Sequence, residues 1–403
     1  MSVNNMTFEQ VSNVLNEIVH QATGQAPMAI TDTSTFISVA QTALLAGKDK
    51  VMNAISEILT RTIFAIRPYS AKMTGLEMDM PRWGAMTRKL SIADSDWQDD
   101  PAYEWPALYD ASQTPATGDG KEIDPWTIKK PNVLQTNFYG QSIYFDEMTI
   151  FEDQLETAFT GPEQLGSFLG LIMTNLSNRL EMSNENLRRG LVCNAIAAFV
   201  DEGNTDRVVH LITEYNSVTS ESITPANVYN PANFPAFMKW MYARVAEICD
   251  LMTANSTKFQ TVITGKPVLR HTPLEYQRVY MYSPLLRQME ARVLADAYHD
   301  GFLKYSDVEA IPYWQSINSK DSVYVKPVYT GTDGSVVVGN DATQVNNVAG
   351  IIFDRDMMGM AITDRRVLST PLNSKGLYRN LHVHAKQKIA YDGCEKGVVL
   401  LLD

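Results

Sequence analysis

The chain has 403 residues, a length that suggests two or three domains. With 45% hydrophobic and 20% charged residues, its composition is that of a folded protein. Its formal net charge of −12 argues against nucleic-acid binding over the whole surface, because phosphate neutralisation needs clustered Lys and Arg, although a shell that merely encloses nucleic acid stays compatible. No signal peptide or membrane-spanning stretch is recognisable, so we expect folding in a cytoplasm. Three widely spaced cysteines favour neither a disulfide framework nor a zinc site.

The N-terminal segment predicts helices. From Met6 to Thr23 apolar residues recur at spacings of three and four, which indicates an amphipathic helix that ends before Gly24. A second helical region follows from Phe36 to Thr62, interrupted near Gly47. Two interpretations of the first helix stay open: it docks on the core of its own chain, or it packs as an arm on a neighbouring subunit.

Residues 77–130 have a different character, because tryptophans alternate with acidic residues and prolines exclude long helices. Thr117-Gly118-Asp119-Gly120 is a strong turn signal, and strand-like runs flank it at Met86 to Ile92 and at Trp126 to Leu134. A stretch of about 50 residues is too long for an ordinary loop in a compact domain. We therefore predict an extended, β-hairpin-like ribbon, called the ribbon below, whose partners lie on another subunit.

The clearest predicted element is a helix from Thr160 to Asp201. Thr160, followed by Pro162 and Glu163, is typical of a capping box, and apolar residues then recur at helical spacing. A helix of about 40 residues is about 60 Å long at 1.5 Å per residue. Gly190 inside it leaves room for a bend or a break.

The remaining chain predicts an α+β mixture of shorter elements. Strands are predicted at Gln141 to Phe145, Arg207 to Tyr215 and Gln260 to Ile263, and helices at Pro231 to Thr253 and Pro284 to Ala297. Asp333-Gly334 is typical of a hairpin turn. Closing strands are predicted at 350–354, 359–363, 377–391 and 398–402.

The sequence contains few candidate sites for chemistry. Motifs for nucleotide binding, serine hydrolysis and zinc proteolysis do not occur in the sequence. His382 and His384 alternate on a predicted strand and so share a face, but without an evident third ligand a structural pair is favoured over a metal site. Asp354-Arg355-Asp356 and Asp364-Arg365-Arg366 are interpreted as a charge-paired turn or an inter-subunit salt-bridge patch. We expect no catalytic, cofactor or metal site, and a protein that is not an enzyme.

In the order of these elements the chain resembles the tailed-bacteriophage major capsid proteins, whose fold recurs in encapsulins and in the floor of herpesvirus shells. The resemblance covers about Ile55 to the C-terminus. Residues 77–130 look like the extended loop of that family, and Thr160 to Asp201 looks like its long spine helix. The run Gly350-Ile351-Ile352-Phe353-Asp354-Arg355 and the strands after it are similar to its closing strands.

The resemblance implies an α+β phage-capsid fold in five parts: an N-terminal arm (1–76), an extended loop (77–130), a peripheral domain with the spine helix (131–205), an axial domain (206–349) and closing strands that return to the peripheral domain (350–403). It implies a major capsid protein that self-assembles as pentamers and hexamers into an icosahedral head shell. That shell encloses double-stranded DNA without sequence-specific binding. The resemblance further implies that the shell assembles in the host cytoplasm, without a membrane, and becomes part of the virion. The implied partners are portal, separate scaffolding and decoration proteins.

Interface residues take the place of a site in such a protein, with exposed aromatic residues as anchors. The candidate inter-subunit contacts are Phe8, Val11, Trp83, Trp97, Trp105, Trp126, Asp354, Arg355, Arg365 and Arg366. Two other classes stay open, an encapsulin-like compartment shell and another phage structural protein such as a tail or baseplate component. An enzyme is a third, more distant alternative.

Overall fold

The computed structural model describes residues 7–45, 47–61, 71–78, 86–93, 126, 132–292 and 307–403. It begins with three helices, α1 (Phe8–Thr23), α2 (Thr33–Leu45) and α3 (Lys48–Arg61). Thr7 and Gln10 form a capping box at the start of α1, and Gly24 ends that helix with a left-handed φ of 75°. Gly47, between α2 and α3, has a φ of 112° that glycine tolerates and other residues rarely adopt. The predicted helices and their interruption are confirmed.

The two ends of the predicted ribbon form an antiparallel hairpin, called the stem hairpin below. Its strands are β1 (Thr87–Ala93) and β2 (Asn132–Phe138), with Thr87 opposite Phe138 and Ala93 opposite Asn132. The second strand was predicted to begin at Trp126, which instead lies in a turn. Most of the ribbon between these two strands, with Trp97 and Trp105, lies outside the described residues, and so does Trp83, which precedes β1.

The long helix is present at its predicted length. After β3 (Gly140–Phe151) and α4 (Glu152–Ala158), α5 runs for 40 residues from Pro162 to Asp201 without the break considered at Gly190. The predicted N-cap is wrong, because α5 is capped at Gly161. The Thr160 hydroxyl instead donates to the carbonyl of Thr157 at 2.7 Å.

The central third differs most from prediction. Its elements are β4 (Val208–His210), α6 (Leu211–Thr219), α7 (Phe234–Thr253), β5 (Gln277–Tyr282), α8 (Ser283–Arg292) and β6 (Asp307–Ile311). The strand predicted from Arg207 to Tyr215 is wrong after His210, where Leu211, Ile212 and Tyr215 form the buried side of a helix. The strand predicted at Gln260 to Ile263 is absent from this described segment. Both β5 and β6 were missed.

The last third is strand-rich, as predicted. It contains β7 (Val323–Val325), β8 (Val328–Thr330), β9 (Val336–Val338), β10 (Thr343–Val345), β11 (Val348–Asp354), β12 (Met358–Ser369), β13 (Tyr378–Tyr391) and β14 (Gly397–Leu401). β8 and β9 form a hairpin, and Gly334 has a φ of 81° in its turn, which confirms the turn predicted there.

A five-stranded sheet in the order β4-β14-β11-β5-β6 holds the larger core. β11 and β14 are buried on both faces, as expected for strands covered on both sides. One face of the sheet packs in a cluster with α7 and α8, including Phe237, Met252 and Met289. The other face packs in a second cluster with the C-terminal half of α5, including Ile196 and Phe199.

A three-stranded antiparallel sheet, β12-β13-β3, holds the other core. Its buried residues Val367, Leu381 and Val383 cluster with residues of α1, α2, α3 and the first half of α5. α1 is therefore docked on its own chain, which is the first of the two interpretations. No described helix is long and apolar enough to cross a membrane.

Helix α5 links the two cores through a polar layer. The buried side chains between its two apolar halves are Asn184, Glu185, Arg188 and Arg189. Arg189 donates to Glu185 at 2.6 and 2.9 Å, Arg188 pairs with Glu77 and Glu181, and Gln387 donates to Asn184 at 2.6 Å. These contacts satisfy charges that would be costly to bury alone.

Candidate inter-subunit surfaces

The stem hairpin has two unlike faces, because residues directly opposite each other in an antiparallel pair share a face. Leu134, on the inner face, packs with Ile263, Val268 and Cys394 of the same chain. On the outer face the side chains of Leu90 and Ile92 are each 63% exposed. The hairpin is therefore attached to its own chain on one face only.

A cluster of buried charges fastens the inner face. The Lys89 ammonium lies 2.8 Å from Asp392 and also pairs with Glu395. Arg270 pairs with the same Glu395 and donates to the Ser91 hydroxyl at 3.2 Å. The two carboxylates lie in the turn between β13 and β14, so the ribbon's first strand is tied to a turn some 300 residues later in the chain.

The pKa shifts in this cluster follow from its burial. Burial is the largest single influence on Lys89 and lowers its pKa, but Asp392 and Glu395 together outweigh it, so the net shift is upward. At Glu395 burial raises the pKa, and Lys89 and Arg270 only partly oppose it. The base of the hairpin is thus a balanced set of charges whose carboxylates depend on their basic partners.

The solvent face of the three-stranded sheet also carries apolar side chains. Ile143, Phe145 and Leu368 are 55%, 51% and 56% exposed. The Phe145 ring lies beside His382 and His384, with centroid distances of 5.5 and 5.2 Å. The prediction that the two histidines share a face is confirmed. Within the described ranges no group of three or more His, Cys, Asp or Glu side chains is placed to hold a metal ion.

Two predicted contact residues lie inside the chain. Val11 is 2% exposed in the core under α1. Asp354 is buried at the end of β11, where its carboxylate accepts from the Thr272 hydroxyl at 2.7 Å and from the Asp356 amide at 2.8 Å. Both were predicted from local pattern, which does not show which side of an element faces the core. Neither side chain is available to a neighbouring subunit in this structure.

The other described candidates reach the surface. Phe8 is 39% and Trp126 84% exposed. Arg355 places its guanidinium 3.6 Å from the centre of the Tyr276 ring, and the exposed Arg366 donates to Asp364 at 3.0 Å. Arg365 is half-buried on β12, two of its nitrogens lack a hydrogen-bond partner, and burial lowers its pKa.

The exposed apolar residues of the strands were not among the contacts predicted from the sequence. Leu90 and Ile92 alternate with Lys89 and Ser91, and this alternation normally places the apolar side inward. Here the polar side faces inward because Asp392, Glu395 and Arg270 receive it. The alternation of polar and apolar residues indicates a strand with two unlike faces. Which of the two faces points inward depends on residues far away in the sequence.

Exposed apolar strands, with ionic clusters used to fasten elements within the chain, are the features of a subunit that is completed by assembly. A model of the Phi29-like phage major capsid protein family matches residues 15–401. The chain belongs to this family, and its function is to build the shell of the phage head.

Solved phage structures show distant similarity to the chain. A capsid structure of Staphylococcus phage Andhra has a TM-score of 0.49 at 10% identity, covering 83% of this chain and 85% of that one. A structure from bacteriophage P68 has a TM-score of 0.48 at 10% identity, covering 83% and 86%. The capsid of cyanophage P-SCSP1u has a TM-score of 0.40 at 10% identity, covering 84% and 90%. No curated protein matches the sequence.

Proposed function

We propose that the chain assembles as pentamers and hexamers into an icosahedral shell in which the ribbon of each copy lies on a neighbouring copy. The supporting observation is the stem hairpin. Its inner face is held to its own chain by ion pairs, whereas Leu90 and Ile92 on its outer face are exposed. A two-stranded hairpin is marginally stable alone and gains stability when such a face is covered. Copies of the same chain are the nearest partners in a shell.

The composition of the ribbon supports the same proposal. Residues 94–124 contain nine acidic and one basic residue, and so carry eight of the chain's twelve net negative charges. Trp97 and Trp105 lie in this acidic stretch, Trp83 precedes it and the exposed Trp126 follows it. Tryptophan is enriched among residues that dominate interface energies. Phe8, Arg355, Arg365 and Arg366 remain further proposed contacts.

The wider biology and the division into parts also remain proposals. An acidic subunit repels packed double-stranded DNA, which suits a wall that encloses the genome without sequence-specific binding. Portal, scaffolding and decoration proteins are proposed partners, with assembly in the host cytoplasm and a structural rather than enzymatic role. We keep the five-part division with one change. Helices α1, α2 and α3 of the N-terminal part are grouped with the three-stranded sheet, because they share a core with it.

Electron microscopy of the purified chain tests the proposal when it is combined with two double variants of the ribbon. Trp97→Ser with Trp105→Ser removes both anchors, whereas Trp97→Phe with Trp105→Phe keeps aromatic area. We expect closed shells from the wild type and the Phe variant, and soluble subunits with an unchanged urea midpoint from the Ser variant. Complete shells from the Ser variant at wild-type yield would contradict the role of the ribbon.

A further inference from the structure

The edges of β1 and β3 are among the strand edges that have no neighbouring strand within the described residues. β3 is paired on one side with β13, and β1 is paired on one side with β2. β3 runs for 12 residues, in unbroken register with β13 and without proline or lysine. Such an edge presents unpaired N–H and C=O groups that can accept another strand, and natural proteins usually protect it.

The exposed side chains on these two edges are complementary. On β1 the outward residues are Arg88, Leu90 and Ile92, and on β3 they are Ile143, Phe145 and Glu147. An antiparallel alignment places Arg88 opposite Glu147, Leu90 opposite Phe145 and Ile92 opposite Ile143. Opposite-charge and aromatic-aliphatic pairs stabilise directly opposed positions. Glu147 is 64% exposed, and its contact with His382 is long, at 4.0 Å.

The neighbouring registers do not give this match. A shift of two residues in one direction places Leu90 opposite Glu147, and a shift in the other places Arg88 opposite Phe145. On the other face of the matched register Lys89 lies opposite Asp146, but its ammonium is already bound by Asp392 and Glu395 of its own chain, so this position does not help to choose the register.

We propose that β1 of one copy adds antiparallel to β3 of the next copy, forming a continuous five-stranded sheet, β12-β13-β3-β1-β2, across the subunit boundary. Within one chain β1 and β3 belong to different sheets. A contact between two different surfaces is head-to-tail, and repetition of such a contact closes into rings. The proposal rests on the shell-forming function and specifies one of its contacts by residue.

Disulfide trapping tests the register. The variant Leu90→Cys with Phe145→Cys places the two thiols directly opposite each other, and Leu90→Cys with Ile143→Cys is the control displaced by two residues. Directly opposed Cβ atoms are about 4.5–5.5 Å apart and diagonal ones about 7–8 Å, whereas a disulfide needs about 4 Å. The three natural cysteines are buried. After mild oxidation of particles, the opposed pair should give covalent oligomers up to rings of five and six, and the displaced pair should give several-fold fewer.

Charge exchange tests the same contact without new bonds. Arg88→Glu and Glu147→Arg should each lower particle yield several-fold, because like charges face each other at every interface. The double variant should restore the yield, and all three should keep the wild-type urea midpoint because both side chains are exposed.

The outcomes separate this proposal from the shell-forming function. Wild-type shells without trapping of the opposed pair and without rescue by the double variant overturn the strand pairing and leave the function intact. Dimers trapped by Phe145→Cys alone, in place of ladders, overturn it in favour of a β3-to-β3 contact. A wild-type chain that forms no particles contradicts the function and the strand pairing together.

Discussion

Replacement of Lys89 by Met removes the basic partner that the stem hairpin supplies to the turn between β13 and β14. The side chains of Asp392 and Glu395 are 2% and 8% exposed, so the substitution leaves two buried carboxylates with Arg270 as the remaining basic contact of Glu395. Removing one partner of a buried pair costs about 3–5 kcal/mol. Because Arg270 remains and Lys89 is 26% exposed, we expect a loss of about 2–3 kcal/mol at pH 7.

The effect should depend on pH in a defined direction. The pKa of Glu395 is raised in the folded chain, so its contribution to stability is present at low pH and is lost as pH rises through that pKa. Without Lys89, which opposes this shift, the pKa of Glu395 is raised further. The difference in the free energy of unfolding between the variant and the wild type should therefore be largest at pH 7. It should become smaller as the pH falls towards the ordinary pKa of glutamate.

Urea unfolding of unassembled subunits between pH 4.5 and pH 7.5 measures this difference. Lys375→Met, at an exposed position, is the matched control and should change stability by less than about 0.5 kcal/mol. A Lys89→Met variant as stable as this control at pH 7, or a difference that widens in acid, would refute the reasoning.

Four further predictions concern two glycines, a buried lysine and an exposed tryptophan. Gly190→Ala should raise the free energy of unfolding by about 0.5–1 kcal/mol, because an added Cβ meets nothing within 4 Å on an unbroken helix. Gly350→Ala should lower the free energy of unfolding by about 2 kcal/mol or more, because that Cβ would lie 2.8 Å from the backbone carbonyl oxygen of Tyr280 on the neighbouring strand, as well as 2.4 Å from the Met281 sulfur. The urea midpoints of the two glycine variants compare them directly. Burial lowers the pKa of Lys396 to about 8, so above that pH the unfolded chain binds more protons than the folded chain. From pH 7.5 to 9.5 the free energy of unfolding of the wild type should therefore rise on the order of 1–2 kcal/mol relative to that of Lys396→Met. Parallel pH profiles of the two proteins would contradict this. Trp126→Ser should leave the urea midpoint unchanged while lowering shell yield, whereas an equal fall in both would indicate a role in folding.

The features best predicted from sequence were the long ones. α5 repeats its apolar spacing over 40 residues, so local errors average out and only its cap was misplaced. The closing strands β11 and β14 were predicted because their apolar runs are bounded by turns and buried on both faces. Their type was fixed by composition rather than by distant contacts.

Short apolar runs were the least predictable. Val208 to Ile212 suits a strand or the start of a helix, and the chain uses both in succession. Two of the ten candidate contacts, Val11 and Asp354, are buried for a related reason, because residues far along the chain cover them. The exposed face of the stem hairpin depends likewise on Asp392 and Glu395, which no local pattern connects to Lys89.

Cryo-electron microscopy of particles formed by the purified chain tests the central claim most directly. We predict closed shells built from rings of five and six subunits, with the outer face of each stem hairpin, including Leu90 and Ile92, covered by an adjacent copy. Particles in which these side chains remain exposed to solvent, or a stable monomer that forms no shell at any protein concentration, would contradict the account.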